Sequence, residues 1–131
     1  MTSSFEKVKN FLLDIGYLIT VENEDDGILV IEDESVGIKN FVLGCADPFL
    51  ILEQHILDLK DADPSVYKQL LQKNRDILHG AFVLDETGEK LIFRDTLQIL
   101  NLDQNELEGS INSLGLLLSE YSDQLITFSK R

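Results

Sequence analysis

The stretch HGAFVLDETGEKLIFRDTL, residues 79–97, brings together His79, the carboxylates Asp85, Glu86 and Glu89, and the adjacent Arg94 and Asp95. An imidazole beside carboxylates can do general acid–base chemistry when burial or neighbouring charge shifts the pKa values. Here the spacing points to a hairpin instead. AFVL and KLIF are short apolar runs around DETGE, and Gly88 supplies the positive φ that a four- or five-residue loop needs. The three carboxylates then sit at a wet turn, and His79, next to Gly80, is expected to cap the preceding helix near its last carbonyls.

A second chemical pattern lies in ENEDDGILVIED, where Glu22, Glu24, Asp26 and Asp33 fall at calcium-loop spacing around Gly27. The ligand types are reversed at both ends, with Glu first and Asp last. The flanking runs YLITV and ILVI also read as strands, whereas a calcium loop of this kind joins two helices. The expectation is an acidic hairpin turn without a dedicated metal site. A regulatory domain that senses a small ligand or divalent cation through residues 22–33 is the alternative. Cys45 could pair with His55 or His79 as nucleophile and base. No Gly-rich elbow or carboxylate at telling spacing supports that pairing, so Cys45 is read as a small apolar filler. No phosphate-binding glycine motif is present, and no cofactor is expected.

Charge narrows the partners further. The 131 residues carry 24 Asp and Glu against 11 Lys and Arg, for a net charge of −13. That sign repels nucleic acid and anionic lipid, both of which are bound through Lys and Arg. No apolar run reaches the roughly 20 residues of a membrane span, and the start MTSSFEKVKN lacks a signal-peptide core, so a cytoplasmic protein is expected. With one cysteine, an internal disulfide is excluded.

These residues are positioned by elements that can be read in order. Phe5, Val8, Phe11, Leu12 and Ile15 share a helical face, Ser3 and Glu6 have capping-box spacing, and Gly16 marks a left-handed stop. Two β-branched runs around the acidic turn follow, then GIKNFVLGC, broken at Pro48. FLILEQHIL is long enough for a helix, but its run of apolar residues after a proline favours a strand. Asp63 and Pro64 open a second helix, whose apolar periodicity through Leu78 places its end at Gly80. After the DETGE hairpin, Asp103 and Glu106 cap a last helix with Leu107, Ile111, Leu114, Leu118, Tyr121, Leu125 and Phe128 on one stripe. Gly109 and Gly115 inside it suggest close packing. The sum is one α+β domain over residues 1–131: two layers, an antiparallel sheet of about five strands, helices on one face, in the order α-β-β-β(-β)-α-β-β-α. Apolar residues occupy both parities of the strands, more than one layer of helices hides, and a surplus of that kind marks a partner or self-association face.

The segments VGIKNFVLGCADPFLILEQ and LLQKNRDILHGAFVLDETGEKLIFRDTLQILNLDQNELEGSINSL carry a resemblance to the YbjN-type domains, which share the fold of the class I type III secretion chaperones. Asn74 before LHGAF, the acidic hairpin turn and NLDQNEL opening the last helix are its particular features. The resemblance implies a non-enzymatic chaperone-like or adaptor protein, often homodimeric, that binds an extended amphipathic segment of a client through apolar patches. By position, Phe41, Leu43, Phe49, Leu50 and Ile51 follow the first hairpin, where an incoming segment could meet apolar surface. The members pointing away from the helices are expected to form the partner face.

Overall fold

The computed structural model describes residues 3–129. Helix α1, Ser4–Ile15, begins where the Ser3 side chain accepts from the Glu6 amide and stops at Gly16, whose φ of 105° lets its N–H return to the Leu12 carbonyl. Strands β1, Leu18–Asn23, and β2, Ile28–Asp33, form the first hairpin, with Gly27 at positive φ in the acidic turn. A single 3-10 turn, Glu34–Val36, leads into β3, Ile38–Ala46, and then β4, Phe49–Asp58. FLILEQHIL is therefore a strand. Its alternating burial, with Leu50, Leu52 and Gln54 inward, is the period-two pattern that the apolar run concealed.

Helix α2, Pro64–Asn74, has Asp63 as its cap and Pro64 in the first turn. It ends six residues before Gly80; the amides of Arg75, Asp76 and Ile77 donate to carbonyls three residues back, and the last helical residue is Asn74. Its side chain donates to the Phe82 carbonyl and accepts from the Phe82 amide, fastening the helix end to the next strand. His79 therefore caps no helix; its carbonyl accepts instead from the Ser113 hydroxyl. Strands β5, Ala81–Leu84, and β6, Lys90–Gln98, form the second hairpin, and α3, Gln104–Ser129, closes the described chain.

Among the described residues six strands form one antiparallel sheet in the order β1-β2-β3-β4-β6-β5, with β4 as the strand that the sequence left in brackets. All three helices contribute to one buried cluster against one face. From the sheet it takes Leu29, Ile31, Phe41, Leu43, Leu50, Leu52, Leu91 and Phe93; from the helices Val8, Leu12, Leu70, Leu107, Ile111 and Leu114. In α3, Leu117 is buried more deeply than Leu118, a shift of one position in the expected stripe. Two polar side chains lie in this core. Ser110 of α3 donates to the Asp95 carboxylate of β6, and Gln54 accepts from the Lys39 amide while donating to the Gly37 carbonyl. A buried amide is stable only with both ends partnered, and Gln54 gains those partners by holding the 3-10 turn against the start of β3.

Candidate functional site

Among the described residues no helix lies on the opposite face of the sheet. Its composition follows from the strand registers, since directly paired residues share a face. One row runs Val21, Val30, Val42, Glu53, Arg94 and Ala81; the next runs Asn23, Ile28, Gly44, Ile51 and Thr96; a third pairs Ala46, Phe49 and Gln98. Near the other end, His55, Ile92 and Val83 line up. The apolar members gather over β1 to β4 and are bounded by the Glu53–Arg94 ion pair, 3.4 Å between charged atoms. Gly44 leaves a shallow dip between Ile28 and Ile51, where an added Cβ would come 3.6 Å from the Ile28 side chain.

The five residues singled out by position separate on this geometry. Phe41, Leu43 and Leu50 are fully buried beneath the helices. Phe49, 43% exposed, and the half-buried Ile51 stand on the uncovered face. Val21, Val30, Ile28 and Val42 share that face with them. Sequence reasoning passed over these four, although their alternation with Leu29, Ile31, Phe41 and Leu43 was a usable signal.

The candidate chemical groups do not converge. Cys45 pairs with Leu50 on the helix-facing side, whereas His55 points to the open side about five residues further along β4, some 16 Å at the strand rise. Burial, with the Asp47 charge second, pushes the Cys45 thiol up, the opposite of nucleophile activation. His55 is engaged with Asp58 at 3.0 Å on the surface. The DETGE carboxylates hold a turn: Asp85 accepts from the Thr87 hydroxyl and the Lys90 amide, and these bonds, the hydroxyl first, lower its pKa. In the acidic loop, Glu22 reaches Lys9 of α1 at 2.9 Å, Asp26 is tied to Asn23, and Asp33 accepts from Ser35. Among the described residues no three His, Cys, Asp or Glu side chains are grouped to hold a metal ion. None of the described helices is long and apolar enough to cross a membrane.

Solved structures with this architecture include YbjN from E. coli, 13% identical over 95% of each chain at a TM-score of 0.68. The HopA1–SchA chaperone–effector complex matches at 15% identity over 98% of this chain and 97% of that one, TM-score 0.63. The Yersinia pestis type III secretion chaperone SycH, in complex with a fragment of YscM2, matches at 16% identity over 97% and 100%, TM-score 0.60. No curated protein matches the sequence. Likeness at these identities establishes the shared fold, as the YbjN and secretion-chaperone resemblance implied. At the level of sequence, a family model matches residues 1–131 without interruption, and the chain belongs to the CesT_Tir_1 family.

Proposed function

We propose that this protein is a non-enzymatic chaperone or adaptor that binds an amphipathic segment of a client protein on the uncovered face of its sheet. The observation that carries the reading is the band formed by Val21, Val30, Val42, Ile28, Ile51 and Phe49, left without a covering layer and adjoining the unpaired edge of β1. An extended segment can add to such an edge through its backbone while alternate side chains lie on the band. The fold relatives described as chaperone–effector and chaperone–fragment complexes support binding of a protein client. The acidic excess favours clients with basic flanks.

The reading includes a homodimer. The edge strand β5 and α2 present Leu71, 71% exposed, with Leu84, Val83 and Tyr67 around a cavity of about 290 Å³. Residues 64–75 hold Lys68, Lys73 and Arg75 and no carboxylate, while the neighbouring turn holds Asp85, Glu86 and Glu89. A two-fold axis beside β5 brings each basic helix near the acidic turn of the other copy, a self-complementary contact.

The test compares capture of proteins from lysate by wild type and by Phe49→Asp, with helical circular dichroism and urea midpoint measured on both. Clients lost by a folded Phe49→Asp protein support the reading; identical capture by both refutes it. Light scattering of wild type and Leu71→Glu tests the dimer, which the substitution should convert to monomer. A wild-type mass equal to that of one chain would overturn the dimer.

A further inference from the structure

Strands β3 and β4 separate at one end of the sheet. Their ladder runs from Ala46↔Phe49 only as far as Val42↔Glu53, although β3 reaches back to Ile38 and β4 continues to Asp58. Each strand carries an extra residue in the stretch beyond the ladder. β3 slips against β2 between Ile38 and Phe41, where Asn40 has a φ of 50°, and β4 slips against β6 between His55 and Leu57. Such bulges bend the strand that carries them and re-aim its side chains. Between the two bulged stretches lies a cavity of about 430 Å³, lined by Lys39 and Asn40 of β3, Gln54, His55 and Ile56 of β4, and Leu118 of α3. That volume lies in the usual range of small-molecule sites.

The lining selects the occupant. No Asp or Glu belongs to it, and Lys39, its one Lys or Arg, makes no ion pair among the described residues. The Gln54 amide, 6% exposed, accepts from the Lys39 amide and donates to the Gly37 carbonyl. A carboxamide nitrogen has two N–H donors, so one remains for a ligand. The nearest carboxylate outside the lining that touches it is Asp58, which holds His55 Nε2 at 3.0 Å and leaves the other ring nitrogen unengaged. Partly buried Ile56 and Leu118 add an apolar wall. A peptide strand does not fit, because insertion would need about 9.5 Å between β3 and β4, twice the ladder spacing, and the Gln54 amide already ties the two edges together. We propose that this cleft binds a small organic monocarboxylate, with its carboxylate on Lys39 Nζ and the spare Gln54 N–H and its apolar body against Ile56 and Leu118. One cation matches one negative charge, and a bound ligand would join β3 to β4 where their own ladder fails. The site is separate from the open sheet face and stands or falls independently of the client-binding reading.

The test titrates the isotope-labelled full chain with benzoate, and with benzamide and benzamidinium as neutral and cationic controls of the same shape, read by nuclear magnetic resonance. Benzoate should move the backbone amides of Lys39, Asn40 and Ile56 and the side-chain amide of Gln54 saturably, with a Kd of about 1 mM, the affinity expected of so small a ligand. Hydrogen exchange at the Lys39 amide should slow as the site fills. Lys39→Gln, a change at an exposed side chain that should leave circular dichroism unaltered, should weaken benzoate about tenfold, whereas Lys39→Arg should stay within about threefold of wild type. The proposal is overturned if benzoate leaves these amides unmoved at about ten times that concentration, or if either control binds as tightly. It is equally overturned if Lys39→Gln binds as wild type does, or if the shifts gather instead at Val30, Ile51 and Phe49 on the open face.

Discussion

Replacing Gln54 by Met keeps the length and most of the volume of the side chain and removes only its polar ends. In the structure those ends accept from the Lys39 amide and donate to the Gly37 carbonyl, each at 3.0 Å, and the residue is nearly inaccessible to solvent. Both bonds are part-buried and end on the exposed residues Gly37 and Lys39, so each stranded group costs about 1 kcal/mol, at the low end of the range, and the Met side chain recovers part of that through its greater apolarity. The net expectation is a loss of about 1–2 kcal/mol, against the roughly 5–15 kcal/mol that holds a domain together. Urea unfolding should show a lower midpoint with an unchanged slope, since the same surface is exposed on unfolding. Hydrogen exchange at the Lys39 amide should accelerate more than at Leu52, because the turn opens locally before the sheet does. A loss below about 0.5 kcal/mol would mean that water or a backbone shift satisfies both groups, and the view of Gln54 as the clamp of the 3-10 turn would be refuted.

Neighbouring residues on β4 should respond in opposite ways. Leu50→Ala empties a fully enclosed position and should cost about 2–5 kcal/mol, whereas Ile51→Ala on the open face should cost about 1 kcal/mol or less; equal losses in urea would erase the two-face description. Burial, reinforced by the charges of Glu108 and Asp33, pushes the Tyr17 hydroxyl up to about 12. The folded state then keeps a proton that the unfolded tyrosine releases near pH 10, so this contribution is intact below about pH 10 and fades as pH rises towards 12. In Tyr17→Phe the alkaline loss of stability should be smaller; an identical pH profile would count against the assignment. The Cys45 thiol, raised by burial and by Asp47, should react with an aromatic disulfide reagent more slowly than free cysteine at neutral pH and speed up only above the ordinary thiol range. Fast reaction at pH 7 would reopen nucleophilic chemistry at this position.

The helix N-caps at Ser3, Asp63 and Asp103, the two glycine-turned hairpins and the order of elements were legible because each depends on a few adjacent residues, whereas the pairing of β4 with β6 across α2 does not. Ser3 with Glu6, Gly16, Gly27 and Gly88 all do locally what their types predict. The end of α2 was not legible, since Ile77 and Leu78 continue the apolar periodicity past the helix. The chain leaves the helix through tighter turns at Arg75, Asp76 and Ile77, and the Asn74 side chain then bonds the backbone of Phe82, a contact that exists only once β5 has been placed. Gln54 was hidden for the same reason: a polar residue in an apolar strand shows its purpose only when the turn it clamps lies beside it.

Strand parity is what divides the surface from the core. Leu50 and Ile51 are adjacent, similar in hydrophobicity and drawn from one apolar run, yet one is sealed beneath the helices and the other lies open. Composition cannot separate them, and burial of one face by three helices can. A chain of this length uses all three on one side, so every apolar residue of the other parity stays within reach of solvent. Val21, Val30, Ile28, Val42, Ile51 and Phe49 add across four strands instead of being diluted by charged neighbours. A sheet that needed only solubility would place Lys, Glu or Thr at those positions, as this one does at Glu53, Arg94 and Thr96 beyond the band. The contrast between the two halves of a single face, more than the amount of apolar surface, is the reason to expect a partner there.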